Sequence, residues 1–114
     1  MADALLIRLE GEFDISESDR LQKCFETAAD APILILDFEK TTYVDSSVLH
    51  VLCALQSTMD ARAAKLILIN LGKPLRRLFE IMRLDTLFDL RYEGDLAALG
   101  ISRSVRTITS SPRW

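Results

Sequence analysis

An α/β fold, one small domain with a mostly parallel four- to five-stranded sheet and about four helices, follows from two features of the chain. Its apolar residues switch repeatedly between strand-like and helix-like spacing, and its central strand candidates are apolar without interruption. Uninterrupted apolar strands are covered on both faces. That places them in a parallel sheet whose crossovers are helices.

Taken in order, Leu5 to Leu9 reads as the first strand, and Gly11-Glu12-Phe13-Asp14 punctuates it. Leu21, Cys24, Phe25 and Ala28 then fall at i, i+3, i+4, i+7, which predicts a helix with Ser16 as N-cap, ending near Asp30. Pro32 stops it, and Ile33 to Phe38 is too short for a helix and rich in strand formers. Residues 39–44 carry no clear period. From Asp45, a capping residue, Leu49, Leu52, Cys53, Gln56 and Met59 define a second helix running to about Ala63. Lys65 to Leu71 repeats the buried-strand pattern. Gly72-Lys73-Pro74 turns the chain into a third helix, because proline suits the first helical position, and Leu75, Leu78, Phe79 and Met82 form its inner face. Phe88 to Tyr92 is expected as a short last strand and Asp95 to Leu99 as a short last helix. Residues 1–100 are thus expected as the single domain, and residues 101–114, with few apolar side chains, as a loose tail.

Composition narrows the function. A chain of 114 residues with 49% apolar side chains can bury one core and is too short for two domains. Its 14 basic and 17 acidic residues, net charge −3, give no basic footprint for nucleic acid. The apolar runs fall far short of the ~20 residues of a membrane span. Asp3 stands where a secretory signal wants a cation, so a cytoplasmic protein is expected. Cys24 and Cys53 are too far apart for a metal knuckle or a C-x-x-C and are expected as reduced core thiols. Charge is uneven: residues 1–40 hold 4 basic and 10 acidic side chains, an acidic surface suited to a basic partner.

In a parallel sheet the strand-to-helix loops gather at the carboxyl edge, where such folds place their sites. Here they bring Glu12 and Asp14, then Asp45, Ser46 and Ser47, then Asn70 and Lys73. Asp45-Ser46-Ser47 opens a helix, and the dipole there would stabilise a phosphate on Ser46. Asp and Ser are also ordinary capping residues, so taken alone the motif needs no more than a structural cap to explain it.

The stretches Gly11-Glu12-Phe13-Asp14, Leu36-Asp37-Phe38, Tyr43-Val44-Asp45-Ser46-Ser47-Val48-Leu49 and Arg77-Leu78-Phe79-Glu80-Ile81-Met82 together resemble the STAS domain, specifically the bacterial anti-sigma factor antagonists, over about residues 4 to 96. The resemblance implies a serine directly after the aspartate, Ser46 here, that is phosphorylated by a partner anti-sigma factor serine kinase. It implies a contact surface for that kinase around Asp14, Asp45, Ser46, Ser47 and Val48, with ATP and magnesium belonging to the partner and no cofactor, metal or small-molecule substrate on this chain. Two departures carry expectations. Val48 replaces the family's usual glycine, and its branched side chain is expected to stand near the phosphoacceptor and narrow a partner's approach. The family also has a strand ahead of the one at Leu5 to Leu9, so either an edge strand is missing here or the first strand starts earlier.

Other readings stay open on sequence. His50 lies one helical turn after Ser46, the spacing of a nucleophile and base, but no Gly-x-Ser-x-Gly elbow accompanies them, and no catalysis is expected. Asp14, Asp45 and Lys73 echo a phosphoaspartate receiver without its adjacent acid pair. STAS domains also serve as regulatory subunits of transport systems and as scaffold modules of stress-sensing assemblies.

Overall fold

A computed structural model describes residues 3–92 and 102–110. Its elements are β1 (Asp3–Phe13), α1 (Ile15–Ala28), β2 (Ile33–Asp37), β3 (Thr41–Val44), α2 (Ser46–Ala61), β4 (Lys65–Ile69), α3 (Lys73–Ile81), β5 (Asp89–Arg91) and β6 (Ser102–Thr109). Every strand pairing is parallel: β1 with β2, β3 and β6, β2 with β4, and β4 with β5. The α/β class and the parallel sheet are therefore as expected, with six strands, one more than the expected four to five, and three helices among the described residues. The helix expected at Asp95 to Leu99 lies outside the described residues.

Side chains of the central strands alternate between two cores. Leu34, Leu36, Leu66 and Leu68 face a large cluster that takes in Leu21 and Phe25 of α1, Leu49, Leu52 and Met59 of α2, and Phe79 of α3. Ile33, Ile35, Ile67 and Ile69 join Ala4 and Leu6 in a second cluster on the opposite face. This two-sided burial is why the sequence reads as unbroken apolar runs. Cys24 and Cys53 are free, half-buried and packed against the larger cluster, and burial pushes the Cys53 thiol up.

One polar tie runs through the second face. The Asp37 carboxylate, almost fully buried, accepts from Asn70 Nδ2 at 3.0 Å and from the Glu39 backbone at 2.9 Å, and Arg8 Nε lies 3.5 Å away. Full satisfaction is what makes a buried carboxylate tolerable. Asn70 holds a positive φ of 59°, a conformation its short polar side chain permits.

Three expectations need correction. The N-cap of α1 is Asp14, not Ser16, because the carboxylate accepts both the Ser16 N–H at 2.9 Å and the Ser16 hydroxyl at 2.6 Å. Residues 39–44 contain a strand, β3, which pairs with the end of β1. And residues 102–109 are not a loose tail: they form β6, in register with Asp3 to Glu10 of β1. β6 thus lies along the stretch of β1, Asp3 to Glu10, that β3 leaves unpaired. Its seven side chains from Arg103 to Thr109 are exposed except Ile108, so low hydrophobicity did not prevent pairing; the backbone ladder along β1 supplies the attachment. Arg103 and Arg106 on this outer strand discourage a further strand from adding to it.

Candidate functional site

Because the strands run parallel, the first turns of α1, α2 and α3 all leave from the carboxyl edge of the sheet. β1 and β3 pair up to their last residues, Phe13 opposite Val44, and the Asp45 N–H donates to the Phe13 carbonyl at 3.2 Å. The first turns of α1 and α2 are therefore held side by side.

Asp45 joins them. Its Oδ1 caps α2, accepting from Ser47 N at 3.1 Å, Val48 N at 3.3 Å and the Ser47 hydroxyl at 2.5 Å. Its Oδ2 accepts from Ile15 N, the first residue of α1, at 3.0 Å. One carboxylate thus satisfies orphan N–H groups of two helices and fixes their starts relative to each other. Asp14 caps α1 beside it. Asp14, Asp45, Ser46 and Ser47 all lie at the adjoining first turns of α1 and α2.

Within that frame the two serines differ. The Ser47 hydroxyl is committed to Asp45, whereas Ser46, at the first position of α2, is exposed and its hydroxyl has no hydrogen-bond partner among the described residues. Of the two, Ser46 alone presents an uncommitted hydroxyl to solvent, at the positive end of a 16-residue helix. Val48, expected beside the phosphoacceptor, is 0% exposed and packs into the large core, so its side chain does not stand at the surface next to Ser46. The third helical position turns inward, about 200° around the axis from the first.

Large apolar side chains are exposed on the elements that lead into this polar centre. Ile15 is 73% exposed and Tyr43 52%. A groove of about 290 Å³ lies between β3 and the start of α3, lined by Thr41, Tyr43, Val44, Pro74, Leu75 and Leu78. Sequence reasoning missed it because residues 39–44 carried no period; the β-branched run Thr41-Thr42 with Tyr43-Val44 was the available signal.

Two alternatives lose support. The His50 side chain is exposed and makes no hydrogen bond to Ser46 or to any other described residue, so nothing orients it as a base. Among the described residues no three His, Cys, Asp or Glu side chains are grouped to hold a metal, and Asp14 and Asp45 are committed to capping, unlike a receiver's metal-binding acids. No helix among the described residues is long and apolar enough to cross a membrane.

The family model for the STAS domain matches residues 2–106. The chain belongs to the STAS domain family. A STAS-domain-containing protein of Pseudomonas aeruginosa (strain UCBPP-PA14) is 28% identical over 87 residues, 75% of this chain and 86% of that protein. Among solved structures, the anti-sigma factor antagonist SpoIIAA in its unphosphorylated form superposes with a TM-score of 0.65 at 22% identity, covering 82% of this chain and 84% of that one. The phosphorylated form of the same Bacillus protein gives 0.63 at 23% identity, over 82% and 87%. A sulfate transporter family protein from Wolinella succinogenes gives 0.72 at 16% identity, over 84% and 83%. These solved structures establish that the STAS fold is shared.

The dual role of Asp45 predicts an ordered pair of stability losses. Asp45→Asn keeps an oxygen for the α2 cap but offers Ile15 an amide donor in place of an acceptor, and should cost about 1 kcal/mol. Asp45→Ala removes both and should cost about 2 kcal/mol or more. Thermal melts of the two variants check the order; equal losses would show that the tie to Ile15 contributes nothing.

Proposed function

We propose that this STAS domain is an anti-sigma factor antagonist: it binds an anti-sigma factor serine kinase, frees a sigma factor, and is switched off by phosphorylation of Ser46. The observation that carries the reading is the exposed, uncommitted Ser46 hydroxyl directly after the capping Asp45, where the family places its phosphoacceptor. SpoIIAA, which is similar to this chain in fold, has been solved in both unphosphorylated and phosphorylated forms.

The binding surface in this reading comprises Asp14, Asp45, Ser46 and Ser47, extended by Ile15 and Tyr43. A partner covering Ser46 also buries those two apolar side chains, which gives the contact hydrophobic driving force around a polar centre. ATP and magnesium come with the kinase. The chain works in the cytoplasm, without a cofactor of its own, and by association rather than catalysis.

Incubation with candidate anti-sigma factor kinases and ATP, followed by mass spectrometry, tests this. One phosphate is expected, on the Ser46 peptide, and Ser46→Ala should abolish it while Ser47→Ala leaves it in place. Phosphate on Ser47, or none with any kinase that binds the chain, would overturn the switch.

A second reading has its own support in the TM-score of 0.72 to the sulfate transporter family protein: a STAS regulatory subunit of a transport or stress-sensing assembly. Stable association with a transport protein, indifferent to Ser46→Glu, would favour it.

A further inference from the structure

The C-terminal strand is fastened at one end to the corner of the fold that carries the candidate site. The Ser110 N–H donates to the Glu10 carbonyl at 2.9 Å, and the Ser110 hydroxyl accepts from the Glu12 N–H at 3.1 Å. Between those two residues Gly11 sits at φ +111°, where β1 shifts register against β3. A Cβ on Gly11 would lie 2.1 Å from Ser110 Oγ, so the glycine provides both the left-handed backbone and the space into which Ser110 docks. On the other side of the corner, Arg20 Nη2 donates to the Thr109 carbonyl at 2.8 Å while its Nη1 holds the buried Glu17 carboxylate at 3.0 Å.

These fastenings flank Asp14 closely, with Glu12 two residues before it and Glu17 three after. Elsewhere β6 is attached mainly through its backbone ladder with Asp3 to Glu10 of β1, with little side-chain burial. From Arg103 to Thr109 only Ile108 buries its side chain, so apart from the backbone ladder the strand has one apolar anchor and the two clips at its end. An element with little buried apolar area belongs to the part of a fold that opens at low free-energy cost.

We propose that β6 is a releasable clamp on the β1–α1 corner: docked, it holds the Gly11 bulge and the first turn of α1 in the position where Ile15 N–H meets Asp45; released, it loosens that turn and the surface around Ser46. As regulation of that surface, the proposal rests on the function proposed above. The clamp itself is read out without any partner.

Amide hydrogen exchange on the full-length chain tests it, using two variants that undock β6 by separate routes. Ile108→Ser removes the apolar anchor. Ser110→Ala combined with Arg20→Lys removes the hydroxyl acceptor and the second nitrogen that reaches Thr109, while keeping a cation for Glu17. In both, the Ile15 and Ser16 amides should exchange about tenfold faster than in the wild type, with Leu52 and Leu55 in α2 unchanged. If the β6 amides exchange freely while Ile15 and Ser16 keep their wild-type rates, the clamp does not act on the corner and the proposal is overturned. Equal acceleration at Leu52 and Leu55 in both variants also overturns it, because the strand would then be supporting the whole fold. Neither result touches the phosphorylation of Ser46, which the kinase experiment decides on its own.

Discussion

Ser46→Glu should weaken binding to the anti-sigma factor kinase by about a hundredfold, and Ser46→Ala should leave it within about threefold of the wild type. The difference comes from where the charge is added. Ser46 is exposed at the first position of α2, directly after the capping carboxylate of Asp45, which also reaches the start of α1 next to the Asp14 cap. A phosphate brings a further charge of about −1.5 to −2 to that spot, and a glutamate brings −1. A partner that closes over it must desolvate the added anion next to two existing ones, at a cost of a few kcal/mol unless it supplies a matching cation.

The same charge affects the folded chain differently. At the N-terminus of α2 an anion interacts favourably with the helix dipole, by about 0.3–1 kcal/mol, which offsets repulsion from the neighbouring caps. Ser46→Glu should therefore melt within about 3 °C of the wild type while binding collapses. Titration calorimetry with the kinase, alongside thermal melts, separates the two effects. Retained affinity in Ser46→Glu would sink the proposed switch; lost affinity accompanied by a large fall in melting temperature would attribute the loss to the fold.

Part of this site was legible from residue order because its placement depends on local rules. Parallel strands send their helices out at one edge, which puts the loops of Asp14 and Asp45 at the same end of the sheet, whereas the cap of α1 was misplaced by two residues because Ser16 is as ordinary a capping type as Asp14. The contact between Asp45 Oδ2 and the Ile15 backbone was not legible, since it joins residues 30 apart whose meeting depends on the pairing of β3 with β1. β6 escaped for a related reason. Its Val105, Thr107, Ile108 and Thr109 are good strand formers, but most of its side chains face water, and periodicity detects burial rather than pairing. Its partner, β1, lies about a hundred residues earlier. The buried Asp37 was read as part of an apolar run, because a single-residue pattern cannot show that Arg8 and Asn70 arrive to satisfy it.

Val48 shows where a family pattern and packing give different answers. Restoring the family's glycine with Val48→Gly should destabilise the protein by about 3 kcal/mol and leave access to Ser46 unimproved. The valine side chain is 0% exposed and contributes to the core cluster that also contains Leu49, Leu52 and Leu36. Removing its three carbons forfeits about 0.8 kcal/mol each in transfer free energy, before any cost of the cavity left behind. Glycine adds a few tenths of a kcal/mol through the lower helix propensity of an unbranched, unrestrained backbone. For a domain of this size the total corresponds to a fall in melting temperature of roughly 10 °C. Steric relief at the surface would instead appear as faster phosphorylation of Ser46 at a temperature where both proteins are fully folded. Measuring that rate well below the variant's melting temperature distinguishes the two, and an unchanged rate with a lowered melting temperature is expected. A rate raised several-fold in Val48→Gly would mean that position 48 governs approach to Ser46 despite facing the core, and that the first turn of α2 must open for the kinase to act.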